Sequence, residues 1–171
     1  AIPRGSGNTK AVSDWCADFA RARGLEYHQD GDNNIIIIKE AAPGYEAAPP
    51  VILQGHLDMV CEQTADCQKD MSREGLDLAV DGDFVYAKGT TLGGDDGIAV
   101  AMALALLDAE GLPHPRLEAV FTVDEEIGLL GAASIDVTPL KGRQMLNLDS
   151  EAEGIFTVSC AGGNTRACLL P

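Results

Sequence analysis

Residues 51–58 read Val51-Ile52-Leu53-Gln54-Gly55-His56-Leu57-Asp58. The apolar start of this segment predicts a buried strand, and an imidazole and a carboxylate follow two residues apart at its end. A spacing of two places the side chains of His56 and Asp58 on one face of a strand. One of them can then bind a metal ion while the other orients it, although a hydrogen-bonded pair without metal is the simpler explanation of this segment alone.

Three further segments carry carboxylates beside predicted strands or helices: Gly93-Gly94-Asp95-Asp96-Gly97, Asp124-Glu125-Glu126-Ile127-Gly128 and Asn147-Leu148-Asp149-Ser150-Glu151. Each has an alternative without a metal. Asp96 and Asp149 are reasonable N-caps. Glu125 and Glu126 fit the acidic first turn of a helix. Taken together, however, the four segments supply one imidazole and several carboxylates, which is the ligand mixture of a hydrolytic two-metal site.

Apolar runs predict strands at residues 35–38, 51–53, 117–123, 145–148 and 155–160, with a short hairpin near residues 84–86. Helices are predicted over residues 8–23, over residues 98–107 (apolar all round and therefore buried) and from an opening at residues 127–133. This alternation predicts an α/β fold, a mostly parallel mixed sheet with helices on both faces. Because ligands bind at the carboxyl ends of parallel strands, we expect the acidic segments to converge there.

The chain of 171 residues contains 12 basic and 27 acidic residues, which give a formal net charge of −15. Such a surface does not suit a phosphate backbone, so no nucleic-acid partner is expected, and bound divalent cations would neutralise part of the charge. Five cysteines without CxxC spacing predict a reducing, cytoplasmic setting. No apolar run approaches the ~20 residues that span a membrane, so no membrane partner is expected.

The order of these motifs resembles the M20 family of co-catalytic zinc peptidases. Within it, the chain resembles the branch of aminoacyl-histidine dipeptidases, the Xaa-His dipeptidases of the peptidase D type. The segments similar to this branch are Gln54-Gly55-His56-Leu57-Asp58-Met59-Val60, Thr90-Thr91-Leu92-Gly93-Gly94-Asp95-Asp96-Gly97-Ile98 and Cys160-Ala161-Gly162-Gly163. The resemblance implies the zinc-peptidase catalytic domain, of the phosphorylase/hydrolase-like fold. Residues 1–171 would be its N-terminal portion, with the lid domain absent.

The resemblance also implies a role for the residues of the acidic segments. The implied metal ligands are His56 and Asp149 on the first ion, Asp95 as the bridge between the ions, and Glu126 on the second ion. By the same resemblance, Asp58 orients His56, and Glu125 is the general acid/base that takes a proton from the attacking water. The peptide bond between Asp95 and Asp96 is expected to be cis.

Two departures from the family pattern affect these expectations. Asp96 stands where members of this branch often have asparagine, a change expected to alter metal affinity but not the reaction class. The second ion in the family also takes a histidine from near the C-terminus, and this chain offers no candidate for that ligand. We therefore expect the chain to be the N-terminal part of a larger enzyme and to be weakly active or inactive alone.

The expected reaction is hydrolysis of the peptide bond of unblocked dipeptides, of the Xaa-His type, by a water that bridges two divalent metal ions. The expected metal is zinc, with Mn²⁺ and Co²⁺ as alternatives for a site of mostly oxygen ligands. An aminotripeptidase or an N-acyl-amino-acid deacylase of the same family shares these ligands. A non-catalytic binding or regulatory module with the peptidase fold is a further alternative. The expected partner is a small peptide substrate, and a homodimer of the full-length enzyme stays open.

Overall fold

The computed structural model describes residues 2–150 and 154–159. Its helices are α1 (Lys10–Ala22), α2 (Gly94–Asp108) and α3 (Leu130–Ser134). Its strands are β1 (Glu26–Gln29), β2 (Ile35–Lys39), β3 (Val51–His56), β4 (Leu78–Asp81), β5 (Phe84–Ala87), β6 (Leu117–Thr122) and β7 (Gln144–Asn147). Five strands form a sheet in the order β1-β2-β6-β3-β7, and β4 pairs with β5 in a separate hairpin. The mixed α/β sheet predicted from the sequence is confirmed.

The sheet is parallel on one side and antiparallel on the other. Strand β3 is parallel to both β6 and β7, whereas β2 is antiparallel to β6 and β1 is antiparallel to β2. Because β3, β6 and β7 run in one direction, their carboxyl ends lie at a common edge. His56 ends β3, while Glu125 and Asp149 follow β6 and β7 within a few residues. The parallel half of the sheet therefore brings these segments together.

The central strands are buried on both faces. Every isoleucine of β2 is at most 2% exposed, which confirms the predicted buried strand. On one face, α1 and α2 pack against the sheet in a cluster that includes Val12, Cys16, Ala20, Ile35, Ile37, Leu104 and Phe121. On the other face, residues that follow α3 cover the sheet in a smaller cluster of Ile36, Ile38, Ile52 and Val120 with Ile135 and Leu140.

Strand β6 also carries a buried charge. The carboxylate of Glu118 accepts hydrogen bonds from Arg116 Nε at 2.7 Å and from the backbone amides of Lys141 and Gly142, each at 2.9 Å. Burial by itself raises the pKa of Glu118, but these donors outweigh burial and hold the pKa below its usual value. The hydrogen bonds from Lys141 and Gly142 hold the loop before β7 against the sheet.

Two predicted elements differ from the structure. Residues 155–159 form no strand, and residue 160 lies outside the described residues. A segment becomes a strand only where a neighbouring strand exchanges backbone hydrogen bonds with it, and none of the described strands pairs with this run. Helix α3 begins at Leu130, later than predicted, because Glu126–Gly128 form a turn.

The predicted burial of α2 on all sides is wrong. Ile98 and Met102 are 55% and 52% exposed, because α2 packs one face against β3 and β6 and these residues lie away from it. Strand β1, with its mostly exposed polar side chains, was not predicted at all. Within the described residues, no helix combines the length and the apolar character that crossing a membrane requires.

Candidate metal centre

His56 lies at the centre of the acidic cluster. It is the last residue of β3 and is only 1% exposed. Its Nε2 lies 2.9 Å from Asp95 Oδ1, and it lies 4.0 Å from a carboxylate oxygen of Glu125 and from one of Asp149. Side chains from three separate loops thus surround one imidazole nitrogen, as the sequence predicts.

Asp58 joins the strand end to the loop that follows β6. Its carboxylate is fully buried, and Oδ1 lies 3.3 Å from His56 Nδ1. Oδ1 also accepts a hydrogen bond from the backbone amide of Glu125 at 3.1 Å, and Oδ2 accepts one from the amide of Glu126 at 3.3 Å. The Ser6 hydroxyl donates to Oδ2 at 2.7 Å. A carboxylate held in this way can fix the orientation of the imidazole.

Asp95 and Asp96 occupy different environments although they are neighbours. They are joined by a cis peptide bond at the start of α2, as expected. The Asp95 side chain is 68% exposed, whereas Asp96 is 1% exposed and its Oδ2 accepts a hydrogen bond from the backbone amide of His56 at 3.2 Å. Asp95 and Asp96 both have non-helical dihedral angles (φ −79°, ψ 112° and φ −111°, ψ 35°), so the regular part of α2 begins after Asp96. Asp96 therefore stands at the N-cap position of that regular part, as its alternative role expects, while its carboxylate bonds the His56 amide.

Glu125 and Glu126 lie in the loop between β6 and α3. Their alternative role in an acidic first helical turn is wrong, because α3 begins at Leu130 and has no acidic residue in its first turn. The amides of Gly128 and Leu129 both donate to the backbone oxygen of Glu125 at 3.0 Å. This turn holds the two glutamates beside the ends of β3 and β6.

Three overlapping groups of side chains could hold metal ions. The groups are His56 with Glu125 and Asp149, His56 with Asp95 and Glu126, and Asp95 with Asp96 and Asp149. Within each group the donor atoms lie within 4.8 Å of one another. An imidazole with carboxylates suits Zn²⁺ and Mn²⁺. All four predicted ligands belong to these groups, so the residues present fit a divalent metal.

The protonation of the metal-free site reflects its crowding. Burial lowers the pKa of His56, but hydrogen bonds to Asp58 and Asp95 outweigh it and raise the pKa to about 9. Burial raises the pKa of Asp96 to about 6, against the hydrogen bond from the His56 amide. Burial also raises the pKa of Glu125, with Asp149 adding to the effect. A metal ion that binds here must displace protons.

Burial likewise raises the pKa of Asp58, but its hydrogen bonds prevail. The donors are His56, the Ser6 hydroxyl and the amides of Glu125 and Glu126, and together they lower the pKa to about 2. Asp58 is therefore ionised at neutral pH beside the imidazole, which is the charge state that suits an orienting carboxylate.

Sequence reasoning missed the residues that support the site from the N-terminus. Arg4, Ser6 and Gly7 all hydrogen-bond to residues of the metal-centre loops. Arg4 stands in the turn-rich stretch Pro3-Arg4-Gly5-Ser6-Gly7, which carries no periodicity and no ligand pattern. The contacts span more than 50 positions of sequence, so no local signal could have revealed them.

A family of peptidases matches more than half of the chain. The model of the peptidase family M20/M25/M40 matches residues 52–161, and the chain belongs to this family. Peptidases of this family are metal-dependent, in agreement with the candidate metal-binding groups. The family resemblance inferred from the sequence is confirmed.

Among the relatives, the chain is 38% identical over 163 residues to the cytosol non-specific dipeptidase of Escherichia coli, covering 95% of this chain and 34% of that protein. The crystal structure of aminoacylhistidine dipeptidase from Vibrio alginolyticus matches with a TM-score of 0.86 and 38% identity, over 90% of this chain and 31% of that one. The chain thus spans about a third of the length of these relatives.

A tripeptidase from Staphylococcus aureus also matches, with a TM-score of 0.69 and 22% identity, over 88% of this chain and 40% of that structure. At that identity the match shows the fold alone. The same α/β architecture therefore occurs in a structure named a dipeptidase and in one named a tripeptidase.

Proposed function

We propose that this chain carries most of a two-metal centre that hydrolyses the peptide bond of unblocked dipeptides of the Xaa-His type. The observation that carries the proposal is the convergence of His56, Asp95, Glu126 and Asp149, from four separate segments, into groups whose donor atoms lie within 4.8 Å. The dipeptide substrate is supported by the relatives, one named a non-specific dipeptidase and the other an aminoacylhistidine dipeptidase.

In the proposed site, His56 and Asp149 hold the first ion, Glu126 holds the second, and Asp95 bridges the two. The position of Asp95 suits a bridging ligand, because it belongs to two of the three groups and its side chain is 68% exposed to solvent beside the buried imidazole. Zinc is the proposed metal, with Mn²⁺ or Co²⁺ as substitutes. When bound, such a pair of ions lowers the pKa of water and stabilises a developing oxyanion.

Glu125 is the proposed general base. Its carboxylate lies 4.0 Å from His56 Nε2, beside the ligands, and burial raises its pKa toward the range where it can both accept and release a proton. It would take the proton from the attacking water and return it to the leaving amine. Asp58, on the far side of the imidazole, would keep the ring oriented.

We also propose that residues 1–171 form the N-terminal portion of a metallopeptidase catalytic domain. The support is that the chain aligns with about a third of each dipeptidase relative. In that case the second ion lacks a ligand, and this chain alone should be weakly active or inactive. A cytoplasmic location is proposed from the name of the Escherichia coli relative. A homodimer of the full-length protein remains a hypothesis.

The test is metal content by elemental analysis, after zinc loading and gel filtration, of this chain and of Asp95→Ala. Asp83→Ala, in the exposed turn between β4 and β5, is the matched control. We expect bound zinc in the unaltered chain and in the control, and its loss in Asp95→Ala. Equal zinc content in all three proteins would contradict the proposed bridging ligand.

The substrate is tested on the full-length protein. Xaa-His dipeptides are compared with Xaa-Leu dipeptides, tripeptides and N-acyl amino acids, and kcat/KM is measured for each. We expect the Xaa-His dipeptides to be preferred. A higher kcat/KM for tripeptides or for N-acyl amino acids would favour the aminotripeptidase or the deacylase instead. Absence of hydrolysis with zinc bound would favour the non-catalytic module.

A further inference from the structure

The segment ahead of α1 contacts the loops of the candidate metal centre. We call residues 4–7 the N-terminal clasp. Its backbone forms an isolated parallel bridge from Gly5 to Met59, just beyond the end of β3. None of its residues belongs to the metal-binding groups found among the described residues. The clasp is therefore placed to support the ligands and not to bind the ions.

The guanidinium of Arg4 joins two of these loops. Its Nη1 donates to the backbone oxygens of Leu57 and Asp58 at 2.8 and 2.9 Å. Its Nη2 donates to the backbone oxygen of Gly93. Leu57 and Asp58 follow β3, whereas Gly93 directly precedes α2 and lies two residues before Asp95. Arg4 thus ties the end of β3 to the turn that carries Asp95.

The backbone of Gly93 and Gly97 approaches the Arg4 guanidinium closely. A Cβ atom at Gly93 would lie 2.6 Å from Arg4 Nη2, and one at Gly97 would lie 2.7 Å from the same atom. Gly93 also has a φ of +69°, in the left-handed region that favours glycine. Glycine at both positions lets the turn close on the Arg4 side chain. A side chain at either position would displace the Arg4 guanidinium.

The remainder of the clasp reaches the loop after β6. The Ser6 hydroxyl donates to Asp58 Oδ2, and the amide of Gly7 donates to Asp124 Oδ1, each at 2.7 Å. Asp124 directly precedes the two glutamates of the centre and has a φ of 54°. Residues 4–7 therefore contact three of the four segments of the centre: the segment after β3, the turn at the start of α2 and the loop after β6.

Arg4 also places a positive charge near the carboxylates of the candidate metal centre. Carboxylates that share a metal site repel one another when no cation lies between them. Arg4 is cationic at any physiological pH and lies within electrostatic range of Asp58, Asp96 and Asp95. Because its donors are used on backbone oxygens, it leaves the carboxylate oxygens available to metal. The planar guanidinium holds several acceptors at fixed angles, which the ammonium of lysine does not.

We propose that Arg4 is a positioning residue that holds the Asp95 turn against the end of β3 at the separation the metal ligands require. The expected effect of Arg4 on metal affinity rests on the proposed function. Its effect on the mobility of the Asp95 turn and of the end of β3 does not, because it exists in the metal-free protein. The two can therefore be measured separately.

The first measurement is hydrogen exchange by mass spectrometry in EDTA. The variants are Arg4→Gln, Arg4→Lys and the matched control Arg23→Gln. Arg23 also bonds a carboxylate, that of Asp108, and the backbone oxygen of Phe19, but it lies outside the metal centre. In Arg4→Gln we expect amides of the two segments that Arg4 joins, residues 57–59 and 93–98, to exchange about tenfold faster, because charged hydrogen bonds are lost. Strand β2 should keep its protection in every variant.

The second measurement is zinc affinity by competition with a chromophoric chelator, together with the visible spectrum of the Co²⁺-loaded protein. We expect Arg4→Gln to bind about 10–100-fold more weakly, the range typical of supporting residues around a metal site. Arg4→Lys should be intermediate, since it keeps the charge but loses part of the hydrogen bonding. Arg23→Gln should stay within about twofold of the unaltered chain.

The outcomes separate this inference from the proposed function. If the unaltered chain binds no metal, the proposed function fails, and faster exchange in the two loops of Arg4→Gln still supports the clasp. Unchanged exchange in both loops overturns the clasp whatever the metal result. Equal losses of affinity in Arg4→Gln and Arg23→Gln also overturn it, since affinity would then follow general stability. If Arg4→Gln does not fold, Arg4→Lys decides in the same way.

Discussion

The carboxylate of Asp96 accepts a hydrogen bond from the backbone amide of His56, with 3.2 Å between Oδ2 and the nitrogen. This contact lies where α2 packs closely against β3. A Cβ atom at Gly55 would lie 2.6 Å from Asp96 Oδ2 and 2.8 Å from the Cβ of Ala99. The absence of a side chain at Gly55 therefore sets how near the helix that carries Asp95 can come to the strand that carries His56.

Gly55→Ala is expected to force α2 away from β3. Because both neighbours of the new methyl group are buried, the overpacking should lower the free energy of unfolding by about 1–3 kcal/mol. Zinc affinity should fall as well, since Asp95 moves relative to His56. Urea unfolding and chelator competition measure the two effects. Gly31→Ala is the control, because a Cβ there meets nothing within 4 Å; equal stability of the two variants would contradict the prediction.

Asp96→Asn is expected to stabilise the metal-free protein. The asparagine oxygen can still accept the hydrogen bond from the His56 amide, while a buried charge beside other carboxylates is removed. We expect the free energy of unfolding in EDTA at pH 7.5 to rise by about 1 kcal/mol. Urea titration measures the change, with the exposed Asp83→Asn as the control. A loss of stability in Asp96→Asn would show that the charge is compensated in the folded state.

Glu125→Gln in the full-length protein is expected to lower kcat by about 10²–10⁴-fold, the usual contribution of a general base. Zinc content should not change, because the proposed ligands are intact. Steady-state kinetics with a dipeptide and elemental analysis measure the two quantities. Glu110→Gln, an exposed glutamate after the end of α2, is the control. A kcat close to that of the unaltered protein would remove Glu125 from the mechanism.

Glu118 is expected to make stability depend on pH on the acid side. Its folded pKa lies below the ordinary value of 4.5, so its contribution is complete above that pH and is lost as the pH falls toward the folded pKa. Glu118→Gln should therefore be less stable at pH 7, by about 2 kcal/mol. The difference from the unaltered chain should shrink as the pH falls below 4.5.

Glu40→Gln is the control for Glu118→Gln, because both glutamates pair with Arg116. Glu40 pairs with the same Arg116, but its side chain is 70% exposed. Glu40→Gln should therefore change stability by well under 1 kcal/mol at any pH. Urea unfolding from pH 3 to pH 7 compares the two variants. A pH-independent difference for Glu118→Gln would mean that packing, and not charge, is responsible.

Much of the fold could be predicted from apolar patterning. The run of four isoleucines in β2 and the apolar beginnings of β3 and β6 are strands because such residues pack well on a buried sheet. The apolar run at residues 155–159 has the same pattern and forms no strand. Patterning states that a segment can be a strand, but only a neighbouring strand with free backbone groups makes it one.

The sequence by itself determined the chemical content of the centre. The spacing of His56 and Asp58, and the acidic segments near strand ends, sufficed to predict an imidazole among carboxylates and to recognise the family. These signals are local, because they depend on residue type and on a period of two along a strand. They needed no knowledge of what lies across the sheet.

Only the tertiary structure decided which side chains of the centre are buried and which distant residues they contact. Asp95 and Asp96 are adjacent and chemically identical, yet one side chain is 68% exposed and the other residue is 1% exposed. The difference arises because α2 rests on Gly55, 41 positions away from Asp96. Arg4 likewise meets Gly93 across 89 positions. Burial and long-range hydrogen bonds depend on which distant segments pack together, and that is a property of the folded chain and not of any local pattern.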